Sequence, residues 1–277
     1  MQRPLIVAEL SINHLGMRKI TIAMMQACQK MGVDYVKLKV KDVRTYYAKD
    51  GKKFNGYDFI EYRNSLELSS DDLRAIDCWC KDNSLRWFAT AHDRRSLELL
   101  SAFDVPFFKV ASMDAQNSRL LEEVLEVNAK KKPVIVSVGG LPMEAIRKIV
   151  DAVATAGVEL TLLHTVAVYP TPPENCNVGQ IANLRREFGH GDVRIGYSGH
   201  EEGYVPTLLA VQYGASMIER HLTLARDLHI HHIKAALTVS EFHSMIEDVG
   251  RVVQMMNIGD SVSFEEQFNF LRDRIYS

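Results

Sequence analysis

The sequence has no long hydrophobic run, few cysteines and no excess of either charge sign. No stretch approaches the roughly 20 apolar residues of a membrane-spanning helix. Met1-Gln2-Arg3-Pro4 leads into a strand-like segment without the basic and apolar regions of a signal peptide, so a cytoplasmic, membrane-free protein is expected. Cys28, Cys78, Cys80 and Cys176 are too few and too irregularly spaced for a disulfide framework. Cys78-Trp79-Cys80 lacks zinc-knuckle spacing, and all four read as reduced core thiols. With 33 Lys+Arg against 35 Asp+Glu, the net charge of -2 argues against a nucleic-acid partner. The Gly-rich dinucleotide fingerprint is also missing after the first strand-like run.

What the chain does have is ordinary globular composition, 47% hydrophobic and 25% charged, over 277 residues. Short β-branched runs alternate with helical patterns, the mark of βα units and a parallel sheet. Strands are expected at 5–10, 35–40, 86–91, 107–111, 134–138, 160–164, 193–197 and 216–221. The fifth helix is the clearest, with Pro142 at its start, Ile146, Ile149, Val150 and Val153 at helical spacing and Gly157 after its end. Eight units without an internal linker predict an α/β fold, a single-domain (βα)8 TIM barrel over 1–258 with a C-terminal extension at 259–277. The segment 41–69, with Tyr46, Tyr47, Phe54, Tyr57 and Tyr62, is long for a βα loop and reads as a cover over a site.

Barrel enzymes carry their chemistry at the C-terminal strand ends. Here those ends are polar: Glu9 leading into Ser11 and Asn13, then Lys37, Lys39, Thr90, His92, Lys109, Ser112, Ser137, His164, Ser198, His200, Glu219 and His221. Alternation along a strand puts Tyr35, Lys37 and Lys39 on one face and Val36, Leu38 and Val40 on the other. The apolar face meets the helices, so both lysines point inward, and the same parity turns Lys109 inward. Buried ammonium groups require anions. Glu9, Asp114 and Glu219 could pair with them, or a small substrate bearing carboxylate and phosphate could; neighbouring hydroxyls suit phosphate oxygens. His200 and His221, at adjacent strand ends, could share a divalent metal or be ordinary core histidines. His229, His231 and His232 read as a solvated loop cluster.

Seven motifs in order resemble the sialic acid (N-acetylneuraminate) synthase family: Ala8-Glu9-Leu10-Ser11-Ile12-Asn13-His14-Leu15-Gly16, Val36-Lys37, Phe108-Lys109-Val110-Ala111-Ser112, Val134-Ile135-Val136-Ser137-Val138-Gly139, Leu162-Leu163-His164 with Tyr169-Pro170-Thr171-Pro172, Gly196-Tyr197-Ser198-Gly199-His200, and Ile218-Glu219-Arg220-His221-Leu222-Thr223. The resemblance implies a (βα)8 transferase that condenses phosphoenolpyruvate with an open-chain amino-sugar aldehyde and releases phosphate. It implies a divalent metal, Mn2+ with Mg2+ or Co2+ as alternatives, on His200 and His221. Lys37, Thr90, Lys109, Ser112, Ser137 and Ser198 would hold phosphoenolpyruvate, Glu9 would orient water or sugar as general base, and Asp114 takes the place of an acidic site residue. Asn13, Lys39, Tyr169 and His232 complete the substrate-binding set, and a homo-oligomer is expected.

The departures from the family pattern lie on the sugar side. The family usually continues into an antifreeze-like C-terminal domain, which this sequence is expected to lack. The segment His229-Ile230-His231-His232-Ile233 replaces Pro-Gly-Pro-Asp-His, so His232 stands in place of an acid. Lys39 stands for Gln, Ala167 for a frequently polar residue, and Gly199 for Asp. The expected acceptor is therefore not specifically N-acetylmannosamine; Lys39 and His232 suit an anionic one, and an internal ion pair accounts for Lys39 equally well. A metal-dependent barrel isomerase or hydrolase and a non-catalytic sugar-acid-binding barrel are the alternatives.

Overall fold

The computed structural model describes residues 2–47, 53–54, 56–228, 230, 232–256, 268, 269, 272 and 274. Eight strands, β1 (Leu5–Ser11), β2 (Tyr35–Val40), β3 (Trp87–Ala91), β4 (Phe108–Val110), β5 (Val134–Ser137), β6 (Leu160–Thr165), β7 (Val193–Gly199) and β8 (Met217–Thr223), are hydrogen-bonded in chain order. Every neighbouring pair is parallel, and β8 returns to β1 with Leu5 opposite Met217 and Glu9 opposite His221, which closes the barrel. Eight main helices alternate with the strands: α1 (Arg18–Met31), α2 (Ser70–Asp82), α3 (Arg94–Ser101), α4 (Ser118–Val127), α5 (Met143–Thr155), α6 (Gln180–Phe188), α7 (Val205–Gln212) and α8 (Val239–Met256). Among the described residues, no helix is long and apolar enough to cross a membrane.

The punctuation read in the sequence has local causes. Gly32 closes α1 in the left-handed region at φ 73, and Ser69 and Asp72 form a reciprocal capping box at the start of α2. The apolar faces of strands and helices form one continuous core, with Ile6, Leu38, Val110, Val136 and Leu162 fully or almost fully buried. Inside the barrel, Tyr35, Phe88 and Phe107 pack edge-to-face at 4.9–6.1 Å and fill its lower layer. Gly196 is required there, because a Cβ would lie 2.6 Å from the Leu163 side chain and from the Met217 carbonyl.

Two features lie outside this plan. The excursion between β2 and α2 folds into short helices at Val43–Tyr46 and Phe59–Ser65, with an antiparallel pairing of Lys53–Phe54 and Tyr57–Asp58. A second, smaller apolar cluster of Ile12, Leu66 and Ile230, supported by Leu15, Tyr62, Leu228 and Ile233, joins this excursion to the loops after β1 and β8. The other feature is an ion pair on the outer face of β8: Arg220, 0% exposed, lies 2.6 Å from the Glu201 carboxylate. Arg220 also donates to the carbonyls of Glu201 and Gly203, while Tyr197 donates to Glu201 at 2.9 Å.

Three of the four cysteines are buried, but Cys78 is exposed, contrary to the expectation of core thiols throughout, because it lies on the outer face of α2. The expected extension at 259–277 and the histidines at 229 and 231 lie largely or wholly outside the described residues.

Candidate functional site

A cavity of about 360 Å³ opens at the C-terminal strand ends. Its floor is ionic. Lys37 Nζ lies 2.5 Å from Glu9 and 2.9 Å from Glu219, and donates to Thr90 Oγ1 at 3.2 Å. Ser198 donates to the same Glu219 oxygen at 3.0 Å. The second Glu9 oxygen accepts the backbone N–H of Ser11 at 2.5 Å, where Ser11 turns into the left-handed region at φ 49 and shifts the β1–β2 register. Burial pulls Lys37 toward loss of charge, but the two carboxylates overcome this and hold its pKa above the usual lysine value. Burial works to raise Glu219, yet Lys37, Lys109 and the hydroxyl of Ser198 bring it down to about 2. This trio is therefore internally neutralised except for one surplus negative charge.

Lys109 is built differently. Its Nζ donates to Ser137 Oγ at 2.6 Å and to the Val110 carbonyl at 3.1 Å, with no carboxylate at ion-pair distance among the described residues. Burial lowers its pKa to about 7, the charge of Glu219 opposes that, and Lys37 adds to it. Higher in the cavity stand Lys39, Lys41 and Arg63, the last only 6% exposed. Burial lowers Lys39, and burial together with Arg63 and Lys39 lowers Lys41 to about 8.

On the far wall, His200 and His221 approach with ring centroids 5.5 Å apart. The His200 Nδ1 donates to the Val166 carbonyl at 2.7 Å, which leaves Nε2 to accept the Tyr169 hydroxyl at 3.1 Å. His221 Nδ1 is buried with no hydrogen-bond partner, and the His232 ring packs 4.9 Å from the His221 ring. Burial keeps His200 neutral down to about pH 3 and His221 well below its usual value. Neutral imidazoles are what a divalent metal needs, and at His200 the ion would replace the Tyr169 hydroxyl at Nε2. Among the described residues, no group of three or more His, Cys, Asp and Glu side chains could hold a metal, so the two histidines could supply only part of a coordination shell.

Of the residues singled out from the sequence, Glu9, Lys37, Lys39, Thr90, Lys109, Ser112, Ser137, Tyr169, Ser198, His200, His221 and His232 line this one cavity. Three others do not. Asn13 turns away, its amide donating to the Leu222 carbonyl at 2.6 Å. Asp114 lies behind the wall, held by His92 and Tyr46. His164 faces the helices and meets the Cys176 carbonyl at 2.9 Å, because the inward positions of β6 are those of Thr161, Leu163 and Thr165. His232 is not part of a solvated cluster, since it is 3% exposed. Lys41 and Arg63 were missed. Lys41 continues the inward parity of Lys37 and Lys39, whereas nothing in the local pattern marks Arg63.

Residues 24–261 match the model of the NeuB family. The chain belongs to this family. It is 35% identical over 230 residues to N-acetylneuraminate-9-phosphate synthase of Drosophila melanogaster, covering 80% of this chain and 60% of that protein's length. It is 26% identical over 288 residues to pseudaminic acid synthase of Campylobacter jejuni, covering 98% of this chain and 79% of that protein. Among solved structures, the fold superposes with a TM-score of 0.86 on N-acetylneuraminic acid synthetase of Leptospira borgpetersenii at 23% identity, over 99% of this chain and 93% of that one. A spore coat polysaccharide biosynthesis protein E from Chromobacterium violaceum gives a TM-score of 0.83 at 27% identity, over 96% and 80%. This NeuB barrel thus carries its lysines, hydroxyls and paired histidines at the end of the fold where barrel enzymes work.

Proposed function

We propose that this NeuB protein is a phosphoenolpyruvate-dependent synthase that joins an anionic sugar aldehyde to the pyruvyl unit and releases phosphate. The observation that carries the reading is Lys109, a buried amine that donates to the Ser137 hydroxyl and the Val110 carbonyl and has no carboxylate at ion-pair distance among the described residues. A bound anion resolves that imbalance. An isomerase or hydrolase reading leaves Lys109 with only the longer-range charge of Glu219 and Glu9 to balance it. In our reading Lys109, Thr90, Ser112, Ser137 and Ser198 bind the phosphate and carboxylate, and the ammonium of Lys109 stabilises charge on the departing phosphate. Lys37 holds Glu9 and Glu219 in place, and Glu9 orients the acceptor hydroxyls or a water as a general base.

The neutral His200 and His221 fit a divalent ion, Mn2+ by preference, which when bound polarises the aldehyde oxygen. The Val166 carbonyl, which accepts the His200 Nδ1–H, would orient that ring with Nε2 toward the ion. The acceptor is assigned as anionic because Lys39, Lys41 and Arg63 converge on the outer half of the cavity. The four cysteines are all free, which suits a reducing cytoplasmic setting.

The test is phosphate release from phosphoenolpyruvate and Mn2+ with a panel of neutral and anionic aldoses and amino sugars. Release is expected with carboxylated or phosphorylated acceptors, at higher kcat/KM than with N-acetylmannosamine. No release with any acceptor removes the synthase reading, and preference for the neutral sugar removes the anionic assignment alone.

A further inference from the structure

Three residues from three successive strand ends meet beside the cavity without belonging to its anion-holding floor. His92, just past β3, shares its Nδ1 proton with Asp114 Oδ2 at 2.7 Å. The other oxygen of Asp114 accepts the Tyr46 hydroxyl at 3.0 Å, and the Tyr46 ring stands edge-on to His92 at 5.2 Å. His92 is 6% exposed and lines the cavity, whereas Asp114 does not. The carboxylate sets the tautomer: the proton stays on Nδ1 and the lone pair on Nε2. That Nε2 is buried with no hydrogen-bond partner. Two residues earlier on the same strand, Thr90 reaches the Lys37 ammonium, so His92 stands directly above the floor.

We propose that His92 is a catalytic proton carrier in the second half of the condensation and that Asp114, acting through it, is a positioning residue. This rests on the synthase reading. After the pyruvyl methylene carbon has bonded to the aldehyde carbon, a water oxygen bonds to the carbon that bears the phosphate, and one water proton passes to His92 Nε2. The bond from that carbon to the bridging oxygen then breaks, its electron pair stays on the phosphate oxygen, and Nε2 returns the proton to it. The remaining proton of the water moves to the former aldehyde oxygen as the new carbonyl forms, so atoms and charges balance.

The charged and titratable groups facing His92 are Asp114, Tyr46, Lys41 and Lys39. Burial lowers the pKa of its imidazole to about 4, the hydrogen bond it donates to Asp114 opposes this, and Lys41 and Lys39 act in the same direction as burial. The ring is thus neutral, with its Nε2 lone pair able to take a proton, before the water attacks.

The experiment compares wild type, His92→Gln and Asp114→Asn with phosphoenolpyruvate, Mn2+ and the best acceptor of the panel. Expected for His92→Gln is a loss of kcat of about 10²-fold or more, with the phosphoenolpyruvate-induced rise in Tm retained. The acid limb of the kcat profile should disappear in His92→Gln and move in Asp114→Asn. Wild-type kcat in His92→Gln, or loss of the Tm rise together with kcat, overturns the proposal. If His92→Gln does not fold, Asp114→Asn decides: a moved acid limb supports the dyad, and an unmoved one overturns it. Absence of phosphate release by wild type overturns the synthase reading, and the dyad's role falls with it; release by wild type with a fully active His92→Gln overturns the dyad alone.

Discussion

At the scale of single residues, the two floor lysines have opposite electrostatic situations. Lys37 is held charged by two carboxylates, while Lys109, with a pKa of about 7, is near half-protonation in the empty barrel at neutral pH. An anion binds the ammonium form, so above pH 7 its binding draws a proton from solution. Affinity for inorganic phosphate or phosphoenolpyruvate should therefore fall by about tenfold per pH unit above that point. Calorimetry in buffers of different ionisation heat should register close to one proton taken up. The sign for stability is opposite: the folded pKa lies below the unfolded value of 10.5, so the empty protein gains stability as pH rises from about 7 to 10.5. Lys109→Met should abolish the proton uptake and the ligand-induced rise in Tm. If the variant keeps both, Lys109 is not the anion's partner.

At the scale of elements, the rim depends on the small cluster of Ile12, Leu66 and Ile230. Gly16, at φ 69, lies so close to the excursion that a Cβ would come within 2.3 Å of the Ser65 carbonyl. Leu66 is 6% exposed and follows Arg63 by one helical turn. Leu66→Ala should cost about 2–5 kcal/mol in denaturant unfolding, as for other buried leucines. It should also raise the KM of an anionic acceptor more than that of phosphoenolpyruvate, because it loosens Arg63 and leaves Lys109 in place. Equal changes in both KM values would show that the cluster does not position the outer cations. The eight strands and their helices were legible in the sequence, since periods of 2 and 3.6 survive in buried elements. The inward lysines were legible for the same reason. That Asn13 and Asp114 do not themselves line the cavity was not legible, because they lie in loops beyond the strands, where alternation no longer tells direction. Arg63 was invisible because its helix is short and its neighbours are polar, so only the folded excursion brings it to the cavity.

At the scale of the whole molecule, a buried charge pair fastens the last strand to the loop that precedes α7. Arg220 of β8 reaches Glu201 in the loop before α7, along with the carbonyls of Glu201, Gly203 and, at 3.5 Å, Ala235. Arg220→Met should lower unfolding free energy by about 3–5 kcal/mol, since it leaves Glu201 charged and buried without its partner. Arg74→Met, which removes a pair with Asp71 on the exposed surface, should change it by about 1 kcal/mol or less. Similar losses in the two variants, measured by urea unfolding, would mean that the buried pair does not hold the last strand in place.

The apolar clasp at the rim and the ionic floor share no residue: Ile12, Leu66 and Ile230 hold the loops, and Glu9, Lys37, Lys109 and Glu219 hold the charges. This separation makes the barrel modular for engineering. A library confined to Lys39, Lys41, Arg63 and Ala167 varies the outer half of the cavity, which the proposed function assigns to the acceptor. It leaves untouched the hydrophobic fastening that keeps the excursion folded, while changes at Lys39 and Lys41 are felt electrostatically by His92 and, for Lys39, by Lys109.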